Sequence, residues 1–202
     1  MPETPEAAYA RALLAADAER RLPLPDMSDW GTFPFEPRDL MTRALEPLSD
    51  EPQRRGEEGP DSCWRCKEGA ERAIWSDEHW LLIAPEAPSG LPVVVLLSPR
   101  LHVDFGELPD TLAAELGPLM VRIDRAIRAL GHIGRVHIGK WGEGGYHAHL
   151  WFIARPAGFG QLRSSFAELW DSVLPPVPEP GWRADLRALA RAIAAEGGSA
   201  HI

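Results

Sequence analysis

The sequence predicts an α+β fold in which an antiparallel sheet of about five strands packs against one long helix. Short apolar segments that neighbour one another along the chain have the length and the β-branched content of strands. Between them, residues 109–130 place leucine and isoleucine at three- and four-residue steps, which is the spacing of one buried helix face. Neighbouring strands with a helix inserted between them favour a sheet with helices on one face. The composition, 45% hydrophobic and 25% charged over 202 residues, is that of a globular domain with appendages.

Residues 1–60 are predicted to form an appendage, a helix followed by a Pro-rich arm. A modest apolar stripe predicts a short helix over residues 4–21. Residues 22–60 are rich in Pro, Asp, Glu and Arg, which is typical of loops. The N-terminus has neither the basic start nor the apolar stretch of a secretory signal, and no apolar run is long enough to cross a bilayer. We therefore expect a cytoplasmic protein.

Residues 61–158 are predicted to form the main domain. Its helix begins at Pro109, and Gly131 supplies the stop after residue 130. Its last two strands flank a Gly-rich turn, so we expect them to pair as an antiparallel hairpin. Residues 159–202 are predicted to be a helical extension. The predicted strands are residues 73–75, 79–83, 92–97, 135–139 and 146–154.

The charge of the chain limits its partners. A net charge of −9 leaves no broad basic surface, so extended duplex nucleic acid is a poor candidate ligand. A local pocket for a small nucleotide or other phosphate compound remains compatible with this charge.

The two cysteines, Cys63 and Cys66, are separated by two residues, which is the spacing of a metal half-site or of a redox pair. A zinc ion needs four N or S donors, so a metal site would draw two more ligands from elsewhere in the fold. Of the seven histidines, His102 follows a buried strand and a turn that returns it towards one end of the sheet. A thioredoxin-like redox site normally opens a helix after the first strand of a βαβ unit, and that context is missing here.

His147, His149 and Trp151 alternate with apolar residues on the last predicted strand. Alternate side chains of a strand share a face, so these three are expected to point away from the core. On this spacing alone, the two imidazoles are also compatible with surface or structural histidines.

The order of these motifs resembles the histidine triad (HIT-like) superfamily, in the zinc-containing branch with galactose-1-phosphate uridylyltransferase and bacterial HIT hydrolases. The resemblance covers about residues 62–156. It implies a HIT-like fold, a homodimer, a structural zinc ion, and a nucleotidyl intermediate on His149. The motifs are Cys63 to Cys66, Asp77-Glu78-His79, Pro99 to His102, and His147 to His149 after the long helix. The resemblance implies that the zinc ligands are Cys63, Cys66, His102 and His147.

Trp151 stands where hydrolases of this superfamily have a third histidine, which helps the leaving group depart. An indole donates a hydrogen bond but does not transfer a proton. Leaving groups that need protonation are therefore expected to react poorly, which favours group transfer or phosphorolysis.

The residues that would bind substrate also depart from the family pattern. Gly144 and Gly145 replace small or hydroxyl residues before the first motif histidine, and their amides can still form an anion nest. Glu86 lies near the position of the aspartate that binds ribose in many members. The basic candidates for phosphate binding are Lys140, Arg155 and Arg163.

Two hypotheses from different classes follow. The first is a nucleotidyl transferase or hydrolase that acts on a nucleotide-type phosphoanhydride through His149. The second is a noncatalytic HIT-fold module that keeps zinc and binds a ligand or a protein. A redox or metal-sensing role for Cys63 and Cys66 is a third possibility, which would require a labile zinc site.

Overall fold

The computed structural model describes residues 5–24, 33–35 and 39–202, apart from the side chains of residues 5–9 and 164. The chain divides into two compact units, Met1–Pro52 and Gln53–Ile202. No helix among the described residues is both long enough and apolar enough to span a bilayer.

In the first unit, helix α1 (Pro5–Leu14) is shorter than the predicted helix over residues 4–21. The chain leaves the helix because the Asp17 carboxylate accepts hydrogen bonds from the backbone N–H groups of Glu19 and Arg21. This side chain offers the backbone partners other than those of a helix. Residue 4 lies outside the described residues.

The second unit is built on a six-stranded sheet in which every neighbouring pair of strands is antiparallel. The strand order is β4-β5-β3-β2-β1-β6. The predicted α+β fold and the predicted pairing of the last two long strands are both confirmed. The strands are β1 (Ala73–Ser76), β2 (Trp80–Ile83), β3 (Val93–Pro99), β4 (Ile133–Gly139), β5 (Leu150–Pro156) and β6 (Ser199–Ala200).

The two long helices cover one face of the sheet. Helices α3 (Asp110–Arg128) and α5 (Glu179–Ala194) pack with inward side chains of the central strands, such as the fully buried Phe152. Burying a side chain of this size stabilises the fold by about 2–3 kcal/mol. The predicted stop holds, because Gly131 follows α3 with a left-handed φ of +83°.

The opposite face has a smaller apolar cluster and a shorter cover. Val94 of β3 and Ile153 of β5 pack against Ala167 of α4 (Ala167–Val173). A fifth helix, α2 (Trp64–Glu68), lies before β1, and Trp64 packs on buried side chains of β1 and β2. Helical segments thus cover parts of both faces, whereas the sequence predicted helices on one face.

Strand β5 begins at Leu150 and not at residue 146 as predicted. The backbone before it finds partners outside the ladder: the Ala148 N–H donates to the carbonyl of Val103 over 2.8 Å, and the Ser98 hydroxyl donates to the carbonyl of Ala148 over 2.7 Å. His147 and His149 therefore lie on the segment that leads into the strand, outside the strand itself.

The short edge strand β6 was absent from the prediction. It pairs with β1, and the backbone N–H of His201 donates to the carbonyl of Ile74 over 2.9 Å. Gly198 makes this approach possible, because its φ is +81° and a Cβ atom there would lie 2.6 Å from the ring of Trp75.

Candidate metal centre and cavity

The two cysteines lie on one side of a tight turn. The backbone N–H of Cys63 donates to the carbonyl of Pro60, and α2 starts directly after Cys63. Residues three apart in a helical turn share a face, so the Cys66 thiol comes to lie beside that of Cys63. Cys63 is buried, whereas Cys66 is exposed.

Two histidines from distant segments complete a four-ligand cluster with these cysteines. His147 Nδ1 lies 3.4 Å from Cys63 Sγ and 3.5 Å from Cys66 Sγ, and His102 Nδ1 lies 3.2 Å from Cys66 Sγ. All four donor atoms lie within 4.8 Å of one another. A tetrahedral zinc ion with usual bond lengths separates S and N ligands by about 3.5 Å. The donor set and the spacing therefore fit zinc.

The remaining ring nitrogen of each histidine fixes which nitrogen faces the metal. His147 Nε2 donates to the carbonyl of Pro99 and His102 Nε2 to the carbonyl of Gly56, both over 2.9 Å. Carbonyl partners of this kind hold the ring in orientation and leave Nδ1 as the ligand. Burial lowers the pKa of His147 to about 4, so the ring is neutral as a metal ligand must be.

Cys63, Cys66, His102 and His147 form a closed Cys2His2 zinc site. Four protein donors leave no position for water, so the zinc is structural. The predicted structural zinc is confirmed, and the structure brings the four predicted ligands together.

His149 lies beside this site and is held through one ring nitrogen. Its Nδ1 donates to the carbonyl of His147 over 2.9 Å, and no partner of Nε2 occurs among the described residues. The ring thus carries its proton on Nδ1 and keeps the Nε2 lone pair free. Burial, with a smaller contribution from the nearby Arg65 cation, holds the pKa of His149 below its usual value.

His149 faces a cavity of about 510 Å³. Its apolar wall contains Val94 and Ile153 from the sheet, and three tryptophans, Trp64, Trp141 and Trp151. The rings of Trp141 and Trp151 pack edge to face with centroids 6.4 Å apart. The volume and the flat aromatic walls suit a ligand with a planar ring.

Two arginines that the sequence analysis did not select also line the cavity. Arg65 lies between the two cysteine ligands, is 7% exposed, and stacks on Trp64 at 4.7 Å. Arg55 belongs to the segment before Cys63, and its Nε donates to the carbonyl of Gly144. Burial lowers the pKa of Arg65 to about 10, and Arg55 adds to this lowering because the two cations lie close together.

The glycine turn, residues 139–145, lies against these arginines. Gly144 and Gly145 both line the cavity, as their predicted role requires. A Cβ atom on Gly145 would lie 3.3 Å from an Nη atom of Arg65. The N–H of Tyr146 donates to the carbonyl of Arg55, so this amide of the turn is already paired.

The other predicted binding residues lie outside the cavity wall. Lys140 does not line the cavity, although its charge contributes to the lowered pKa of His149. Glu86 is exposed and pairs with Arg72 at 3.1 Å. Arg155 donates to the backbone carbonyls of Pro156 and Phe159, and Arg163 is exposed in a separate surface depression.

A cation between two metal-ligating cysteines is the one sequence signal that could have selected Arg65. Once the zinc knuckle, which we define as residues 63–66, binds its metal, the residue between the two cysteines is held next to the cavity that His149 faces. Arg55 has no comparable signal, because its approach to Gly144 depends on a pairing across 89 residues.

The fold and the site together define an α+β protein with a closed zinc site next to a histidine-lined cavity. No protein-family model matches the sequence, and no curated protein matches it. Among solved structures, a zinc-bound histidine triad family protein from Mycobacterium smegmatis is 26% identical, with a TM-score of 0.49 over 68% of this chain and 99% of that one. A uridylyltransferase is 19% identical, with a TM-score of 0.46 over 67% of this chain and 46% of that one.

A histidine triad protein from Bradyrhizobium japonicum is 20% identical, with a TM-score of 0.50 over 62% of this chain and 94% of that one. This likeness concerns the fold. The chain has the HIT-like fold, which confirms the expectation drawn from the order of its motifs.

Proposed function

We propose that this protein transfers or hydrolyses a nucleotidyl group from a phosphoanhydride, with His149 as the nucleophile. The observation that carries the proposal is the position of the His149 ring. Its Nδ1 proton is donated to the carbonyl of His147 over 2.9 Å, and its Nε2, which has no partner within the described part of the chain, belongs to a side chain that lines a cavity with two arginines. A neutral imidazole with a free lone pair is a good nucleophile towards an activated phosphorus centre.

The proposed reaction has two displacements. In the first, the Nε2 lone pair of His149 attacks phosphorus, an N–P bond forms, and the P–O bond to the leaving phosphate breaks with its electron pair on that oxygen. In the second, a hydroxyl of water or another acceptor attacks phosphorus, the N–P bond breaks, and the lone pair returns to Nε2. The proton of the attacking hydroxyl passes to solvent or to the departed phosphate.

Trp151 determines which leaving groups fit this scheme. Its ring lies 6.3 Å from that of His149, centroid to centroid, and the indole has no proton to transfer. A leaving phosphate or pyrophosphate is stable as an anion and needs no proton, whereas an amine does. We therefore propose an anhydride substrate, and an acceptor that supports transfer or phosphorolysis.

Zinc belongs to the proposal as a structural ion. When bound, it fixes the knuckle and the segment around His147 relative to each other. The backbone carbonyl of His147 then orients the His149 ring by accepting a hydrogen bond from its Nδ1. We further propose a cytoplasmic location, because metal-ligating thiols persist in a reducing compartment, and a homodimer, as the HIT-like resemblance implies.

The test is intact-mass spectrometry after brief exposure to nucleoside diphosphates and dinucleoside polyphosphates, with an alkaline quench because phosphohistidine is acid-labile. Wild type should gain the mass of one nucleotidyl group. His149→Ala should gain none, and His132→Ala is the matched control because that exposed ring pairs with Asp185. An adduct that persists in His149→Ala would refute the assigned nucleophile.

The alternative is a noncatalytic, zinc-containing HIT-fold binding module. The tryptophan in place of the third histidine favours it, because an aromatic wall binds a planar ligand without any proton transfer. This module should bind nucleotides without adduct formation or turnover while it keeps its zinc. That outcome across the whole panel would replace the enzyme proposal.

A further inference from the structure

We infer that Arg65 and Arg55 bind two linked phosphoryl groups, so that the cavity selects substrates with a diphosphate or a longer phosphate chain. The inference rests on the proposed function for the identity of the reacting phosphorus, which would be bound by Arg65 beside His149. Arg55 would bind the next phosphoryl group, which is the leaving group.

Arg65 is a buried cation with an unmatched charge. Only 7% of its surface is exposed, and its Nε has no hydrogen-bond partner among the described residues. No carboxylate of the described chain pairs with it. Buried charges are normally paired, so this guanidinium needs an anion that arrives from the cavity.

The zinc site does not supply that anion. Two thiolates and two neutral imidazoles around one divalent zinc ion sum to zero charge. The negative charge that the free thiolates of Cys63 and Cys66 would offer to Arg65 is therefore neutralised when the site is filled.

Arg55 places a second cation at the same wall. Its Nε donates to the carbonyl of Gly144, and a Cβ atom on Gly144 would lie 3.6 Å from its Nη2 atom. The same turn brings Gly145 against Arg65. Two like charges near each other repel, and an anion that bridges them relieves the repulsion. Guanidinium groups bind phosphate through two parallel hydrogen bonds, which suits adjacent phosphoryl groups.

Each of the two neighbouring arginines, in contrast, has a carboxylate partner. Arg54 pairs with Asp104 at 2.8 Å, and Arg72 stacks on the same Trp64 ring as Arg65 but pairs with Glu86 at 3.1 Å. Neither lines the cavity.

Three carboxylates also line the cavity, those of Glu143, Glu168 and Asp171. Asp171 accepts a hydrogen bond from the backbone N–H of Leu91, and Glu168 lies on α4, on the side of the apolar cluster. Glu168 and Asp171 both belong to α4 and favour hydroxyl or amino groups of the ligand on that side, whereas Glu143 lies in the glycine turn. The phosphate chain is thereby directed to the side of the knuckle and the glycine turn.

The experiment is calorimetric titration of the zinc-loaded full chain with inorganic phosphate and inorganic pyrophosphate. Pyrophosphate should bind wild type at least about tenfold more tightly than phosphate. Arg65→Gln should weaken both ligands by about 10- to 100-fold, the usual effect of losing a charged hydrogen bond. Arg55→Gln should weaken pyrophosphate alone. Arg72→Gln is the matched control and should leave both affinities unchanged.

Zinc content and melting temperature are measured for each variant. If Arg65→Gln does not retain zinc, Arg65→Lys replaces it, since a point charge cannot make the paired hydrogen bonds of a guanidinium and should weaken pyrophosphate several-fold. Wild-type pyrophosphate affinity in a zinc-loaded Arg65 variant, or in Arg55→Gln, would overturn the inference.

This outcome is separable from that of the adduct experiment. Inorganic pyrophosphate carries no nucleotidyl group, so its binding does not require covalent chemistry at His149. Arginine-dependent binding without adducts would leave a phosphate-chain site in a noncatalytic protein. Adducts with no arginine dependence would keep the enzyme proposal and remove the diphosphate preference.

Discussion

Replacement of Gly56 by alanine tests how strictly the backbone around the knuckle sets the zinc geometry. Gly56 has a φ of +84°, and a Cβ atom there would lie 3.1 Å from Cβ of Cys63. Its carbonyl also accepts the hydrogen bond from His102 Nε2. One residue thus affects two of the four ligands, because its missing Cβ leaves room for Cys63 and its carbonyl holds the His102 ring.

The expected loss has two parts. A left-handed conformation costs a non-glycine residue about 1–2 kcal/mol. Relief of the contact also requires Cys63 to move by a few tenths of an ångström. Zinc–ligand distances tolerate about 0.2 Å, and disturbing a ligand's supporting partners usually weakens metal binding by about 10- to 100-fold. That factor corresponds to a further loss of about 1.4–2.7 kcal/mol in the stability of the zinc-bound protein.

Gly131→Ala is the matched control. Its φ of +83° would impose the same backbone strain, but apart from Gly131 and its chain neighbours no atom of the described residues lies within 4 Å of the position its Cβ would take. It should lower the melting temperature by about 2–8 °C and leave zinc affinity unchanged. Gly56→Ala should lower the melting temperature further, and competition with a chromogenic chelator should show weaker zinc binding. Equal zinc affinities in the two variants would refute the link between Gly56 and the ligand positions.

Three further predictions concern the leaving group, the sheet edge and acid sensitivity. Trp151→His should raise amine release from a nucleoside phosphoramidate by about 10²- to 10⁴-fold, measured as free amine, because imidazole can protonate the leaving nitrogen; no gain with anhydride transfer intact would show that residue 151 is not limiting. Gly198→Ala should lower the free energy of unfolding, measured in urea, by about 1–3 kcal/mol more than Gly158→Ala does. Both glycines have φ near +80°, but only a Cβ at Gly198 would clash with the ring of Trp75. Similar losses in the two variants would contradict this prediction. Burial and the neighbouring Arg155 hold the pKa of His137 below 6.5. The unfolded chain therefore takes up this proton at a higher pH than the folded chain, and stability falls as pH drops through 6.5. His137→Gln should lose less stability than wild type between pH 7.5 and 5.5, and an equal loss would exclude this contribution.

The fold was largely predictable because its long elements carry strong patterns. The spacing of apolar residues in α3 matches one buried helix face, and the run in β3 has the length and the β-branched content of a buried strand. Strand β6 could not be predicted, since two residues, Ser199 and Ala200, show no periodicity and pair with β1 through the freedom of Gly198. The start of β5 was misplaced because the alternation of side chains continues through His147 and His149 although their backbone partners change.

The two cysteine ligands were predictable because their spacing is that of a metal half-site, whereas His102 and His147 were assigned through the resemblance of the motif order to the histidine triad superfamily. The cavity was less predictable. Lys140 was selected because it lies in the glycine turn, whereas the guanidinium groups that line the wall belong to Arg55 and Arg65. Their position results from tertiary contacts that bring the knuckle against residues 144 and 145, and these contacts cannot be predicted from the spacing of residues along the sequence. The catalytic roles of His149 and Trp151 stay predictions.

His147 uses three polar groups at once: Nδ1 for zinc, Nε2 for the carbonyl of Pro99, and its own carbonyl for the ring of His149. A single substitution at this position would disturb the metal, the loop before it and the orientation of the second histidine together. Mutation of His149, by contrast, removes one ring and leaves all four zinc ligands in place. In evolutionary time, a lineage with this architecture can therefore lose the proposed chemistry of His149 first and keep its metal, whereas loss of His147 would remove the metal and the support of the His149 ring together.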